Sequence, residues 1–260
     1  MNGRWRTGGW LFSMTLAAVS LTGCGTTAPG TAAPTVAASP WAQLSAAPSG
    51  ARPVRGWRHQ QFPGKSPTQF QYARDEGREA IAATASSSAS MLRQDVRIEP
   101  AELGSVLFSW KVPQLIAGAD LASRDADDSP VRVVLVFEGD RSKFSTRDAM
   151  MSELSRAITG EELPYATLMY VWCNRRQAGT VITSPRTARI RGLVVESGPG
   201  KLNQWLDYER NVRADFERAF GEPPGALLGV AVMSDTDNTR STARAWYGPL
   251  RLRTAHSRAP

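Results

Sequence analysis

The sequence contains few of the residues that most often carry metal-centred or nucleophilic chemistry. Two histidines, His59 and His256, occur among 260 residues, whereas catalytic zinc sites usually use three protein ligands. No Gly-x-Ser-x-Gly motif marks a hydrolase nucleophile. Of the two cysteines, Cys173 lies in an apolar run, where a buried, inert thiol is the expected state. The common catalytic templates therefore find no match in this sequence.

Lysine is also scarce, and the positive charge is scattered. Arginine accounts for 27 of the 31 basic residues, and the formal net charge is +7. The basic residues never form a run longer than two and alternate with acidic ones. Nucleic-acid-binding proteins instead cluster such residues on one face or stripe. We therefore expect no nucleic-acid partner.

The N-terminus has an apolar stretch that is too short for a permanent membrane span. Residues 10–21 are mostly apolar and follow Arg4 and Arg6, whereas a transmembrane helix needs ~20 apolar residues. This arrangement is typical of a cleaved signal peptide. The sequence Leu21-Thr22-Gly23-Cys24 then resembles the lipobox of bacterial lipoproteins. That resemblance predicts that residues 1–23 are removed and that Cys24 carries lipid.

The predicted lipid anchor implies a place on the periplasmic side of the bacterial envelope. Acyl chains contribute ~0.8 kcal/mol per buried CH₂, so several of them hold a protein firmly. Gly25, rather than aspartate, follows the cysteine, which indicates the outer membrane if sorting is as in enterobacteria. Residues 24–55 are rich in Ala, Thr, Pro and Ser, and we expect this segment to form a disordered tether.

From Gly56 onward the composition favours short strands. The clearest apolar, β-branched runs cover residues 106–112, 131–137, 166–173, 189–196 and 227–233. Weaker candidates, several of them bounded by turn residues, cover residues 57–62, 69–74, 79–85, 90–98, 244–246 and 250–253. The run at 131–137 is almost entirely apolar, as in a central strand covered on both faces.

Two helices are predicted from their caps and periodicity. Ser145 caps the first helix and Gly160 ends it. Its expected buried stripe is Met150, Leu154, Ala157 and Ile158. Asn211 caps the second helix and Gly221 ends it, with a stripe of Val212, Phe216, Ala219 and Phe220.

These elements show no regular alternation of strands with helices. We therefore predict a mainly β protein: an antiparallel, jelly-roll-like β-sandwich over residues 56–254, with about two short helices. Residues 255–260 are expected to form a disordered tail.

Motifs in the second half of the chain resemble those of the bacterial domain-of-unknown-function family 3047, and the resemblance covers roughly residues 57–253. These motifs are Asp128-Ser129-Pro130-Val131-Arg132-Val133, Tyr170-Val171-Trp172, Trp205, Glu209-Arg210-Asn211-Val212, Asp215, Phe220-Gly221-Glu222-Pro223, Asp235-Thr236-Asp237-Asn238-Thr239 and Ala245-Trp246-Tyr247-Gly248. The resemblance implies an exported β-sandwich similar to carbohydrate-binding jelly rolls, and it implies no particular activity.

Two acid-rich loops are candidates for a metal site. Asp235, Asp237 and Asn238 offer the hard oxygen ligands that calcium prefers. The loop is not an EF-hand, because Arg240 occupies the position of the required glycine. The same residue types also build loops by bonding their own backbone, so calcium, a structural turn and direct contact with a ligand all stay open. A second such loop contains Asp120, Asp125, Asp127 and Asp128.

Tryptophans in or beside predicted strands are candidates for ligand contact. Indole rings stack on the C–H faces of sugars, although burial in the core is the commoner fate of so large a ring. Trp205 lies between polar neighbours with Tyr208 close by, and Trp172 is a further candidate. Glu209 and Arg210 precede the second helix, where they form either an ion pair or a polar site shared with Asp215.

The leading hypothesis is a non-enzymatic envelope lipoprotein whose β-sandwich binds a glycan or another envelope component. One alternative is a polysaccharide-acting hydrolase with paired carboxylates, drawn from Glu196, Glu209 and Asp235. Another is a structural or assembly lipoprotein that binds a second envelope protein, which an exposed apolar patch would favour.

Overall fold

The computed structural model describes residues 56–255. Every predicted strand is present in this part of the chain, together with β8 and β10, which the sequence did not suggest. The thirteen strands are β1 (Trp57–Gln61), β2 (Gln69–Asp75), β3 (Arg78–Ser86), β4 (Ala89–Ile98), β5 (Leu103–Lys111), β6 (Ser129–Phe137), β7 (Ala166–Cys173), β8 (Val181–Thr183), β9 (Ile190–Ser197), β10 (Leu206–Asn211), β11 (Leu227–Asp235), β12 (Thr242–Tyr247) and β13 (Arg251–Thr254). Two α-helices, α1 (Thr146–Thr159) and α2 (Val212–Phe220), accompany them.

The strands form two sheets. The first has seven strands in the order β1-β4-β11-β6-β7-β9-β8. The second has six, in the order β10-β5-β12-β3-β2, with β13 also paired to β5. Neighbouring strands are antiparallel except for β7 and β9, which pair in parallel. The structure confirms the predicted fold class, a mainly antiparallel β-sandwich with two short helices.

The core lies between the sheets, and β6 shows how the alternation of residues builds it. Val131, Val133, Leu135 and Phe137 have no exposed surface and belong to the main core cluster. The residues between them, such as Arg132 and Val134, point to the outer face of the seven-stranded sheet, because successive side chains of a strand alternate between its faces. The prediction that this is a central strand is confirmed.

Helix α2 forms as predicted from its sequence. The Asn211 side chain accepts a hydrogen bond from the Ala214 backbone N–H, which satisfies one free donor of the first turn. Gly221 ends the helix in the left-handed conformation, with φ 70°. Phe216 is fully buried, and its ring centroid lies 4.7 Å from that of Phe137.

Helix α1 has the predicted caps, but the prediction of its buried stripe is wrong. Met150, Leu154 and Ile158 are 67%, 58% and 60% exposed. The buried residues are instead Asp148 and Ser152. The helix is held by polar contacts, because Asp148 accepts a short hydrogen bond from Thr187 and Arg141 donates to Ser152 at 3.0 Å. The periodicity of the apolar residues therefore predicted the helix correctly, but the apolar stripe is exposed instead of packed against the sheets.

Several predictions fall on residues that the structure does not describe. The signal peptide at residues 1–23, the lipidation of Cys24, the tether at residues 24–55 and the tail after residue 255 all lie outside it. Among the helices of residues 56–255, none has the length and apolar character needed to cross a membrane.

Candidate functional site

The outer face of the seven-stranded sheet forms a groove with a volume of about 580 Å³. Its floor consists of the outward-facing residues of five strands, and these are almost all apolar. Several of them are nearly buried, Val134 and Ala231 being 2% exposed. The floor is formed by Ala89, Met91, Val134, Val136, Met169, Val171, Gly192, Ala231 and Met233.

The first end of the groove, which we call the acidic end, is formed where β6 begins and β11 finishes. Arg132 is 5% exposed there, although it carries a full charge. It donates hydrogen bonds to Asp127 Oδ1 at 3.1 Å and to Asp235 Oδ2 at 3.2 Å. Asp237 pairs closely with Lys65. Charged side chains of both signs therefore line the groove at this end.

Asp235 is an almost buried carboxyl group at this end. Burial is the main cause that raises its pKa, to about 7, and the neighbouring charges of Asp128 and Asp127 add to the rise. The Arg132 guanidinium acts in the opposite direction but does not offset the burial. One carboxylate oxygen, Asp235 Oδ1, is buried and has no hydrogen-bond partner among the described residues.

Asp128, Asp235 and Asp237 form a cluster that can hold a metal ion. Each offers one carboxylate oxygen, and these oxygens lie within 4.8 Å of one another. Asn238, the third ligand expected from the sequence, is used differently. Its side chain donates to the Arg124 carbonyl at 2.9 Å. The two acid-rich loops of the sequence therefore meet at one place, and Asp128 takes the position that Asn238 was expected to fill.

The opposite end of the groove, which we call the helix end, lies below α1. Arg93 donates to Glu161 Oε2 at 3.2 Å and to Gln60 Oε1 at 3.4 Å. Arg141 pairs with Glu162 at 2.9 Å. An apolar floor therefore separates two ends that both carry charged hydrogen-bonding groups.

Trp205 and Trp246 lie on the outer face of the other sheet, which we call the tryptophan face. Both are partly exposed. Trp205 Nε1 donates to Asp75 Oδ2 at 2.9 Å, and Lys111 Nζ donates to the same oxygen at 2.8 Å. Arg78 lies 5.4 Å from the centre of the Trp205 ring. The structure thus places a partly exposed indole ring beside a carboxylate, and ligand contact by Trp205 stays a prediction.

The other aromatic candidates lie in or against the core. Trp172 is 1% exposed, and its Nε1 donates to the Gly198 carbonyl at 3.0 Å. Tyr208 stacks on Phe108 at 5.2 Å and donates its hydroxyl to Glu196 Oε2 at 3.0 Å. Burial opposes ionisation of Glu196, but the Lys201 ammonium and this hydroxyl lower its pKa. Both rings are therefore engaged by protein groups.

Glu209 and Arg210 belong to β10 and point in opposite directions. Glu209 is exposed and pairs with Arg253 at 3.0 Å. Arg210 Nε donates to Asp215 Oδ2 at 2.9 Å, and the Tyr170 hydroxyl donates to the same oxygen at 3.0 Å. Arg210 and Asp215 therefore form an ion pair, whereas Glu209 pairs elsewhere, and ligand binding by Glu209 and Arg210 stays a prediction.

Sequence analysis did not identify Lys65, Arg93 and Arg132 as groove residues. Arg132 belongs to the motif Asp128-Ser129-Pro130-Val131-Arg132-Val133, and Lys65 follows the turn residues Pro63-Gly64, but neither context indicates a groove residue. The alternation of residues along β6 gave the one usable signal, because it places Arg132 beside Val134 and Val136 on a single face.

The sheets and the groove define a mainly antiparallel β-sandwich with a concave outer face. The chain belongs to the family described as Protein of unknown function (DUF3047), whose model matches residues 55–251. This confirms the resemblance found in the sequence.

Solved structures with a similar strand arrangement share little sequence with this chain. The family 11 carbohydrate-binding module of a cellulosomal cellulase from Clostridium thermocellum is 8% identical, with a TM-score of 0.39, over 79% of this chain and 92% of that one. A xyloglucanase domain of a type three effector from Sinorhizobium fredii is 7% identical, with a TM-score of 0.41, over 78% and 96%. No curated protein matches the sequence. Function therefore has to be argued from the residues of this chain.

Proposed function

We propose that this chain is a non-enzymatic binding protein of the bacterial envelope and that its ligand, a glycan, lies along the groove. The observation that carries the proposal is the groove itself, with a volume of about 580 Å³, an apolar floor and charged groups at both ends. Small-molecule sites typically combine such a size with a mostly apolar lining and a few placed polar groups.

The dimensions of the groove suit an elongated ligand. Gly229 and Asp235 both line it and lie on the same strand, and six residues of strand span roughly 20 Å. The C–H faces of sugar rings would cover the methionine, valine and alanine floor. Sugar hydroxyls would bond to the charged groups at the two ends, such as Arg93 and Asp127.

The proposal includes the lipid anchor on Cys24 and a location on the periplasmic side, at the outer membrane. It is supported by the lipobox and by Gly25 in the sequence. The tether of residues 24–55 would let the sandwich reach up to ~100 Å from the membrane when fully extended. Calcium remains a prediction for this function, and the acidic end is where such an ion would bind.

The proposal is tested by titrating the purified full chain with envelope and plant glycans in a calorimeter. Met91→Glu places a charge on the apolar floor, and we expect it to reduce affinity at least ~10-fold, because an isolated carboxylate in an apolar site is strongly disfavoured. Met150→Glu is the matched control, since Met150 is 67% exposed on α1, and it should bind as the unmodified chain does. Equal affinities for both variants would contradict the groove as the site.

The tryptophan face supports a second place for a glycan. Its specific observation is that Trp205 and Trp246 are partly exposed beside the carboxylate of Asp75. If the glycan binds to the tryptophan face, Trp205→Ala would abolish glycan binding, whereas Met91→Glu would not.

The two alternative functions have less support. For a hydrolase, Glu196, Glu209 and Asp235 would have to face one ligand in pairs, but each is paired with a different cation, respectively Lys201, Arg253 and Arg132. For an assembly protein, the exposed apolar stripe of α1 is the favourable observation. We prefer ligand binding because a groove with polar ends is also present.

A further inference from the structure

The acidic end combines oxygen atoms from two distant parts of the sequence. In the register of β11 and β6, Asp235 lies opposite Ser129, so Asp128 and Asp235 become neighbours although 107 positions separate them. Asp237 follows in the loop after β11, and one oxygen of each aspartate lies within 4.8 Å of the others. Strand pairing, which does not depend on any ion, therefore brings the three carboxylates together.

Asp128 is fixed firmly in place. Its Oδ2 accepts hydrogen bonds from the Thr239 backbone N–H at 2.7 Å and from the Thr239 hydroxyl at 2.6 Å. Its Oδ1 accepts from the Asn238 backbone N–H at 3.2 Å. This carboxylate ties the two loops to each other and holds its oxygens in a defined position.

Asp235 lacks a partner for one of its oxygens. The residue is 6% exposed, and Oδ2 accepts from Arg132 while Oδ1 has no hydrogen-bond partner in the described chain. A buried carboxylate oxygen without a partner costs free energy. Beside Asp128 and Asp237, either a proton or a metal ion at this oxygen would remove that cost.

The basic side chains that the structure describes nearby do not pair with Asp235 Oδ1. Arg132 reaches Asp235 only through Oδ2, and Arg186 lies 3.7 Å from Asp127. The Lys65 ammonium contacts Asp237, but its side chain is 38% exposed and flexible, so it can leave. Asp127, Asp128, Asp235 and Asp237 thus outnumber the three basic side chains that face them.

We propose that Asp128, Asp235 and Asp237 bind one calcium ion and that Lys65 gives up its contact with Asp237 when the ion binds. Carboxylate oxygens are hard ligands, and the coordination shell of Ca²⁺ is larger and more flexible than the strict octahedron that Mg²⁺ requires. The ion site does not depend on which ligand the groove binds.

The experiment titrates the purified full chain with CaCl₂ by calorimetry and repeats the titration with MgCl₂. We expect saturable Ca²⁺ binding, a higher Tm in calcium than in chelator, and weaker binding of Mg²⁺. Asp235→Asn should weaken Ca²⁺ binding by more than ~10-fold, and Asp237→Asn serves the same purpose if the first variant does not fold. Asp207→Asn, an exposed aspartate paired with Arg78, is the matched control and should leave binding unchanged.

Lys65→Ala distinguishes an ion site from a purely structural cluster. Because the variant removes the competing ammonium, we expect it to bind Ca²⁺ more tightly than the unmodified chain. A chain whose Tm and heat signal do not respond to Ca²⁺ up to the millimolar range would overturn the proposal. Lys65→Ala binding Ca²⁺ more weakly would overturn the role assigned to the lysine. Glycan binding is measured separately in chelator, so failure of one proposal is distinguishable from failure of the other.

Discussion

The two outer faces of the sandwich offer different surfaces to a ligand. On the seven-stranded sheet, methionine, valine and alanine form a recessed floor, and the charges lie at its ends. Among the described residues that line this groove, Phe62 is the one aromatic. On the tryptophan face, two indole rings are partly exposed, but cations lie over them: Arg244 is 4.8 Å from the centre of the Trp246 ring and Arg78 is 5.4 Å from that of Trp205.

The comparison shows that aromatic content alone does not locate a binding site. A ligand that enters the groove meets a surface already shaped by the sheet. A ligand that stacks on Trp205 or Trp246 must first displace a cation, and such contacts are worth roughly 0.5–1 kcal/mol at exposed sites. The groove is therefore the better candidate for the ligand site, although it contains fewer aromatic residues than the tryptophan face.

The largest expected difference between the faces concerns their ion pairs. Arg132→Ala would leave Asp235 buried without its cation, and losing one partner of a buried pair typically costs 3–5 kcal/mol, so we expect a loss of about that size in the free energy of unfolding. Arg78→Ala removes a closer pair, at 2.8 Å, with Asp207 on the tryptophan face, where the side chains are 45% and 66% exposed, and should cost at most ~1 kcal/mol. Urea unfolding in chelator measures both. Similar losses would show that the acidic end is solvated.

A smaller effect is expected at α1, which forms one wall of the groove. Asp148→Asn weakens the hydrogen bonds that the carboxylate accepts from Thr187 and Ser145. We expect a loss of about 1 kcal/mol and faster amide exchange in α1, with α2 unchanged. Glu153→Gln, on the exposed side of the same helix, is the control. If amide exchange in α1 is the same in Asp148→Asn as in the unmodified chain, contacts other than those of Asp148 hold this helix in place.

The same carboxylate gives α1 a defined pH dependence. Burial opposes the ionisation of Asp148, but the hydrogen bonds from Thr187 and Ser145 outweigh it and lower the pKa below the ordinary 3.8. A carboxylate with a lowered folded-state pKa stabilises the fold above its unfolded-state value, and this stabilisation is lost as the pH falls through the folded-state value. The protection of α1 amides, measured as exchange relative to the intrinsic rate at each pH, should therefore fall in acid, and Asp148→Asn should show less of this fall.

The smallest expected signal separates the two faces by fluorescence. The difference in emission between the unmodified chain and Trp205→Phe isolates Trp205, and Trp246→Phe does the same for Trp246. If the ligand lies in the groove, neither difference should change on saturation with glycan, because no described tryptophan lines the groove. Saturable quenching of Trp205 would place the ligand on the tryptophan face instead.

The sequence was a good guide to local structure. The apolar alternation predicted the sandwich, and caps with periodicity gave α2 together with its buried Phe216. Strand β10 escaped detection because its inward residues, such as Tyr208 and Arg210, are only half-buried and its outward residues are charged. In α1 the periodicity was real but could not show which side of the helix faces the sheets.

The candidate sites were harder to predict because they depend on contacts distant in sequence. The acidic end needs the pairing of β6 with β11, which brings Asp128 to Asp235. The groove forms only when the seven strands are assembled into a sheet. In the sequence, its apolar floor residues cannot be distinguished from ordinary core residues. The partial exposure of Trp205 was expected from its polar neighbours, whereas the burial of Trp172 was decided by its position facing the second sheet.

The place of β11 in the sheet also bears on the order in which the chain folds. This strand lies between β4 and β6, so residue pairs such as Ala89 and Asp235 must meet across more than half of the chain. Such non-local pairing slows folding, because the entropy of closing a long loop is lost before the contacts form. Until β11 has been synthesised, β4 and β6 lack the strand that joins them, so the seven-stranded sheet cannot close. If the chain is exported as proposed, the seven-stranded sheet would close only after residues up to Asp235 are available.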